Sequence, residues 1–87
     1  MGISEELKRE TNKWIEKLEK ISFSARTKKG EEYKENIESY IKDSKHFFKQ
    51  KDYVKAFEAI IWAWAFFEIS LDLKLLELKN YGCKEIS

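Results

Sequence analysis

From Tyr53 to Lys79 the chain contains neither proline nor glycine, and that unbroken stretch limits what it can build. A β-hairpin needs turn residues between its strands, and none stand here. The stretch therefore reads as one helix of roughly 28 residues, about 42 Å at 1.5 Å per residue. Asp52 is its expected N-cap, and Asn80 with Gly82 its stop. The whole sequence has no proline and only three glycines, Gly2, Gly30 and Gly82. Sandwiches and barrels need a turn every eight to twelve residues or so, which excludes an all-β fold. At 87 residues, 43% hydrophobic and 38% charged, the chain makes one domain, too apolar for disorder and too charged for a membrane protein.

Two shorter helices precede it. Ser4 is placed to cap the first, with Glu5 and Glu6 at the positive end of its dipole. Ile3, Leu7, Thr11, Trp14, Leu18, Ile21 and Ala25 recur at four-three spacing as one stripe. Phe23 lies opposite that stripe, so either the helix ends before it or Phe23 meets something outside the first core. Arg26-Thr27-Lys28-Lys29-Gly30 reads as a helix end and loop, with Gly30 as a left-handed cap. The second helix follows from Glu31, burying Tyr33, Ile37, Tyr40, Ile41, Ser44, Phe47 and Phe48. Its exposed face runs Glu31, Glu35, Glu38, then Lys42, Lys45, Lys49, the order that complements the helix dipole. A short turn at Lys49-Gln50-Lys51-Asp52 makes an antiparallel hairpin with the third helix. The expected fold is an all-α three-helix bundle over residues 1–87, with helices near 5–25, 31–49 and 53–79 and a long third helix.

That third helix carries two apolar stripes. Tyr53, Phe57, Ile60, Trp64, Phe67, Leu71, Leu75 and Leu78 are expected to close the core. Trp62, Phe66, Ile69, Leu73 and Leu76 recur with the same spacing on roughly the opposite side, where a three-helix bundle offers no neighbour. An uncovered row of this kind reaches the few hundred Å² that mark interaction surfaces. The leading expectation is twofold self-association through these five residues. The rivals are a foreign protein or peptide seated on them, or a terminal segment of the chain folded over them.

No constellation of catalytic chemistry emerges. One histidine, His46, and one cysteine, Cys83, cannot assemble a metal site, and the Glu-x-x-His pairs of di-iron bundles are missing. Asp43 with His46, and Glu68 with Asp72, lack a nucleophile or base beside them and read as surface or boundary charges. No two glycines stand close enough for a phosphate loop. The expectation is a non-enzyme with no catalytic residues, cofactor or metal. A net charge of +1 gives no global field toward nucleic acid, and the lysines of the second helix have no interleaved aromatics. The longest apolar run, Ala59 to Phe67, is too short for a bilayer, which needs about 20 residues. A lone Cys83 and an acidic start without an apolar signal core or a myristoylation motif point to a cytoplasmic protein.

The segment from Tyr40 to Ile60, with Tyr40-Ile41-Lys42-Asp43-Ser44-Lys45-His46-Phe47 leading into Asp52-Tyr53, resembles the signature of a family of small archaeal proteins, Domain of Unknown Function 357. The resemblance implies a three-helix bundle of this length with no established activity. Lys51 stands where the family commonly has glycine, and Trp64-Ala65-Phe66-Phe67-Glu68 where it often has a glycine and an aspartate. The hairpin is similar, less specifically, to the Asp-Tyr-x-x-Ala turn of tetratricopeptide repeats and of microtubule-interacting and transport domains. That likeness implies a groove-binding adaptor for a foreign peptide or helix as the second reading.

Overall fold

A computed structural model of the chain describes residues 2–79. Three helices, α1 (Ile3–Glu19), α2 (Lys28–Lys49) and α3 (Tyr53–Asp72), form the bundle, and two short strands, β1 (Phe23–Ala25) and β2 (Leu76–Leu78), clip one end of it. The all-α three-helix expectation stands. α2 and α3 run antiparallel, with Ser44 against Ala56 at one level and Tyr33 against Phe66 at another. α1 lies along α3 in the same direction, Lys8 over the Tyr53 ring and Trp14 edge-on to Trp64. The Trp64 indole Nε1 donates to the Trp14 carbonyl at 3.0 Å, which removes the one polar cost of burying that ring.

α3 is the element both other helices share, and small residues are the reason. Its buried positions are Ala56, Ala59, Ile60, Ala63, Phe67 and Ser70. Four of these six carry side chains no larger than serine, so the α2 backbone comes close enough for the Ser44 hydroxyl to donate to the Ala56 carbonyl at 2.6 Å. Ile15, Leu18, Ile37, Ile60, Phe67 and Leu76 fill the core between the three helices. Thr11, the polar member of the α1 stripe, is fully buried and donates to the Leu7 carbonyl of its own helix at 2.7 Å.

Asp52 caps α3 as expected, its Oδ1 accepting from the Lys55 amide at 3.2 Å. Other boundaries differ from the sequence reading. The N-cap of α1 is Gly2, and Ser4 lies inside the helix. α1 stops at Glu19 and not at residue 25, because Phe23, Ser24 and Ala25 form β1. Of the two readings of Phe23 the first holds, and its ring packs 5.1 Å from that of Phe67 at the core edge. α2 begins earlier than residue 31, at Lys28, with the Thr27 hydroxyl accepting from the Gly30 amide at 2.9 Å. Gly30 is therefore a buried first-turn residue and not a loop cap. Its missing Cβ leaves room for the Leu75 carbonyl, which approaches the helix there.

The third helix ends at Asp72, not at residue 79, and with 20 residues it is shorter than α2 with 22. Lys74 takes a left-handed conformation at φ 62°. The Lys74 amide donates to Leu71 O at 3.0 Å and the Leu75 amide to Ser70 O at 2.9 Å, the paired bonds of a Schellman stop. α2 ends the same way. Lys51 has φ 64°, its amide bonds Phe48 O at 3.0 Å, and the Asp52 amide bonds Phe47 O at 2.9 Å. After the α3 stop the chain turns back so that β2 pairs antiparallel with β1, Phe23 opposite Leu78 and Ala25 opposite Leu76. Amides of Arg26 and Lys79 extend the ladder to Leu75 O and Ser22 O. The expected stop at Asn80 and Gly82 lies outside the described residues.

Candidate interaction surface

The early end of α3 splits the expected seam. Leu76 is 2% exposed and belongs to the core from β2, so its assignment to the outer face is corrected: it left the helical spacing when the chain turned at Lys74. Trp62, Ile69 and Leu73 do face outward, at 56%, 49% and 60% exposure, with Leu73 at the C-cap position. Phe66 is half-buried. It turns toward α2 because the core arc of α3 is centred on the alanines and not on the larger residues the spacing favoured. Tyr53, Phe57, Trp64 and Leu71, expected at the centre of the core, sit at its half-buried edge.

What emerges is an aromatic strip across the α2–α3 boundary. Tyr40 stacks on both Phe66, with ring centroids 5.7 Å apart, and Trp62, at 6.5 Å. Tyr33 meets Phe66 edge-on at 5.8 Å. Such pairs are worth about 0.5–1.5 kcal/mol beyond their buried area, so they hold the strip as a preformed surface. Tyr33 and Tyr40 were expected in the core stripe. Their seven-residue spacing, continued by Phe47, is the signal that they lie on one flank of α2. The sequence reading also passed over Val54 and Ile61, which are exposed on the outward arc of α3. Lys55 sits near one end of the strip, its Nζ 5.6 Å from the centre of the Phe47 ring and 3.9 Å from Asp52.

The remaining candidates do not converge. Asp43, His46, Glu68 and Asp72 are all exposed. Among the described residues no three His, Cys, Asp or Glu side chains cluster as a metal would require. An open cleft of about 410 Å³ lies between α1 and α2, with Ile41 among its lining residues, Lys42 and Lys49 beside it, and the Lys45–Glu19 ion pair of 2.7 Å at its wall. Of its polar lining residues, Lys45 and Glu19 pair with each other, while Lys42, His46 and Lys49 are exposed. No helix of the described residues is long and apolar enough to cross a membrane. Cys83 lies outside the described residues.

Comparison with known proteins gives a family and a fold. The family model described as Protein of unknown function (DUF357) matches residues 9–76, in agreement with the resemblance carried by the α2–α3 hairpin. A crystal structure of a protein of that family from Archaeoglobus fulgidus is 41% identical in sequence and superposes with a TM-score of 0.80. The match covers 90% of this chain and 100% of that one. No curated protein matches.

Proposed function

This chain belongs to the DUF357 family, and we propose that it works as a non-enzymatic interaction protein that self-associates through the outer face of α3. One observation carries this reading. Six large hydrophobic residues are exposed among those described, and five of them, Val54, Ile61, Trp62, Ile69 and Leu73, belong to α3 and its C-cap. Scattered apolar residues on a surface need no explanation, whereas a concentration on one helix face marks a partner site. The Tyr40–Phe66–Trp62 stack fixes the Trp62 ring in place before any partner arrives, which lowers the ordering cost of association.

The test is the mass of the purified protein in solution by light scattering or sedimentation equilibrium. The wild type is expected as a dimer. Trp62→Glu combined with Leu73→Glu is expected to yield a monomer of nearly unchanged helicity, since both side chains are more than half exposed and the only packing given up is the stacking of Trp62 on Tyr40 and Phe66 at the rim of the strip. Phe66 is left intact in this design because its ring also packs on Tyr33 and Tyr40 within the subunit. A wild type that stays monomeric at high concentration, or a double variant of undiminished mass, overturns the proposal.

A further inference from the structure

We infer that residues 73–79 are a strap with two conformations: closed, they form the turn and β2; open, they continue α3 by about seven residues, roughly 10 Å, and release the clip. The inference is independent of self-association. In the closed form local preference and tertiary contact pull against each other. From Leu73 to Lys79 the chain consists of leucine, lysine and glutamate alone, all strong helix formers, with none of the β-branched or aromatic residues that strands favour. The turn that breaks α3 is made by Lys74 at φ 62°, a conformation that strains a lysine. Strain of this kind gathers at switch segments, where two packings of one sequence lie close in free energy.

Few contacts hold the strap closed. Among the described residues Leu76, 2% exposed, is the one member of the buried core cluster that does not come from a helix. The Leu75 carbonyl seats against Gly30 and accepts from the Arg26 amide at 2.8 Å, and the Lys79 amide donates to Ser22 O at 2.9 Å. Leu75 and Leu78 are only half-buried, while Lys74, Glu77 and Lys79 are exposed. At the hinge itself opening loses no hydrogen bond. In the closed turn the Lys74 amide bonds Leu71 O and the Leu75 amide bonds Ser70 O. In a continued helix each amide bonds the carbonyl four residues back, so Lys74 takes Ser70 O and Leu75 takes Leu71 O. The same two donors exchange the same two acceptors. Opening also strips β1 of its partner strand and withdraws Leu76 from the core, which leaves a strand edge and an apolar slot that fit an extended Leu-x-Leu segment, the pattern of β2 itself.

Backbone 13Cα chemical shifts of Leu73 to Lys79 test this. Leu76→Lys, whose ammonium group cannot stay in the core, and Gly30→Ala, which unseats the Leu75 carbonyl, are each expected to move these shifts from strand to helix and to raise far-UV helicity. Coil shifts in a folded bundle would mean that the strap merely frays, and strand shifts in both variants that it has one conformation; either overturns the inference. A second arm does not depend on those variants folding. In the wild type the Arg26 and Lys79 amides are expected to exchange with solvent through strap opening, with less protection than the Ile60 amide in the middle of α3. Lys74→Gly relieves the hinge and penalises the helix, so it is expected to raise their protection roughly tenfold. Ser24→Cys with Glu77→Cys, oxidised across the ladder in a Cys83→Ser background, is expected to bring their protection up to that of Ile60. Ladder amides as protected as Ile60 in the wild type, or unmoved by Lys74→Gly, overturn the inference.

Discussion

Gly30 and the Leu75 carbonyl occupy each other's space: a Cβ at position 30 would fall inside the contact radius of that oxygen. The contact joins the first turn of α2 to the turn after α3, and the same oxygen accepts from the Arg26 amide at 2.8 Å. Backbone on backbone cannot yield as a flexible side-chain tip can. Gly30→Ala is therefore expected to destabilise the protein by about 2 kcal/mol or more despite alanine's better helix propensity, because overpacking and a displaced β-clip outweigh it. Urea denaturation checks this, and a variant as stable as wild type would show that the α3–β2 turn has room to move.

Lys51 and Lys74 hold nearly the same left-handed backbone, at φ 64° and 62°. Lysine is strained there by about 1–2 kcal/mol relative to glycine, of which glycine's greater freedom in the unfolded chain returns about 0.5–1. Lys51→Gly and Lys74→Gly are each expected to stabilise the fold by roughly 0.5–1 kcal/mol, and additively, since the two turns lie at opposite ends of α3. Melting temperatures of the single and double variants decide this, and a fall in either would mean that the lysine makes a contact worth more than its strain.

Ser44 and Ser70 are both fully buried, yet only Ser44 has a partner. Among the described residues the Ser70 hydroxyl is the one buried side-chain polar atom left unbonded. Ser44→Ala removes a bond between α2 and α3 and is expected to cost about 1 kcal/mol, while Ser70→Ala is expected to be neutral or stabilising by about 1 kcal/mol. Opposite signs from the same chemical change make the pair an internal control. Equal losses in both would show that Ser70 has found a hydrogen-bond partner.

Glu10 accepts from Lys13 and from the Trp14 indole, each at 3.2 Å. The Lys13 hydrogen bond, more than any other cause, holds its carboxyl below the ordinary value. A folded-state pKa below the unfolded one contributes stability above the unfolded pKa and loses it as pH falls through the folded pKa. Glu10→Gln is therefore expected to melt slightly below wild type at neutral pH, with the difference closing in the acid range. A gap that persists in acid would assign the effect to packing on Trp14.

The α2–α3 hairpin was legible in the sequence because its signals were local: Asp52 as a cap, the acid-to-base order along α2, and the apolar stripe of α2. The stop of α2 at Lys49 was legible too, from the interruption at Lys49-Gln50-Lys51-Asp52, whereas the stops of α1 and α3 were not. The left-handed position after α3 is held by Lys74, so no glycine announces it, and Leu71, Leu75 and Leu78 continue the four-three spacing straight through a break in the helix. Two strands of three residues are also too short for alternation to show. The candidate surface was partly visible. Trp62, Ile69 and Leu73 were found by periodicity, while Leu76 was lost with the helix end. The rotation of the core onto Ala56, Ala59 and Ala63 was missed because apolar size was weighed and closeness of backbone approach was not.

The β-clip ties residues just after the first helix to residues just after the last. On a ribosome, chain near Phe23 emerges long before chain near Leu78. β1 therefore stays without its partner strand until Leu76–Leu78 has been made, and the clip is the last contact of the described fold to become available as the chain grows.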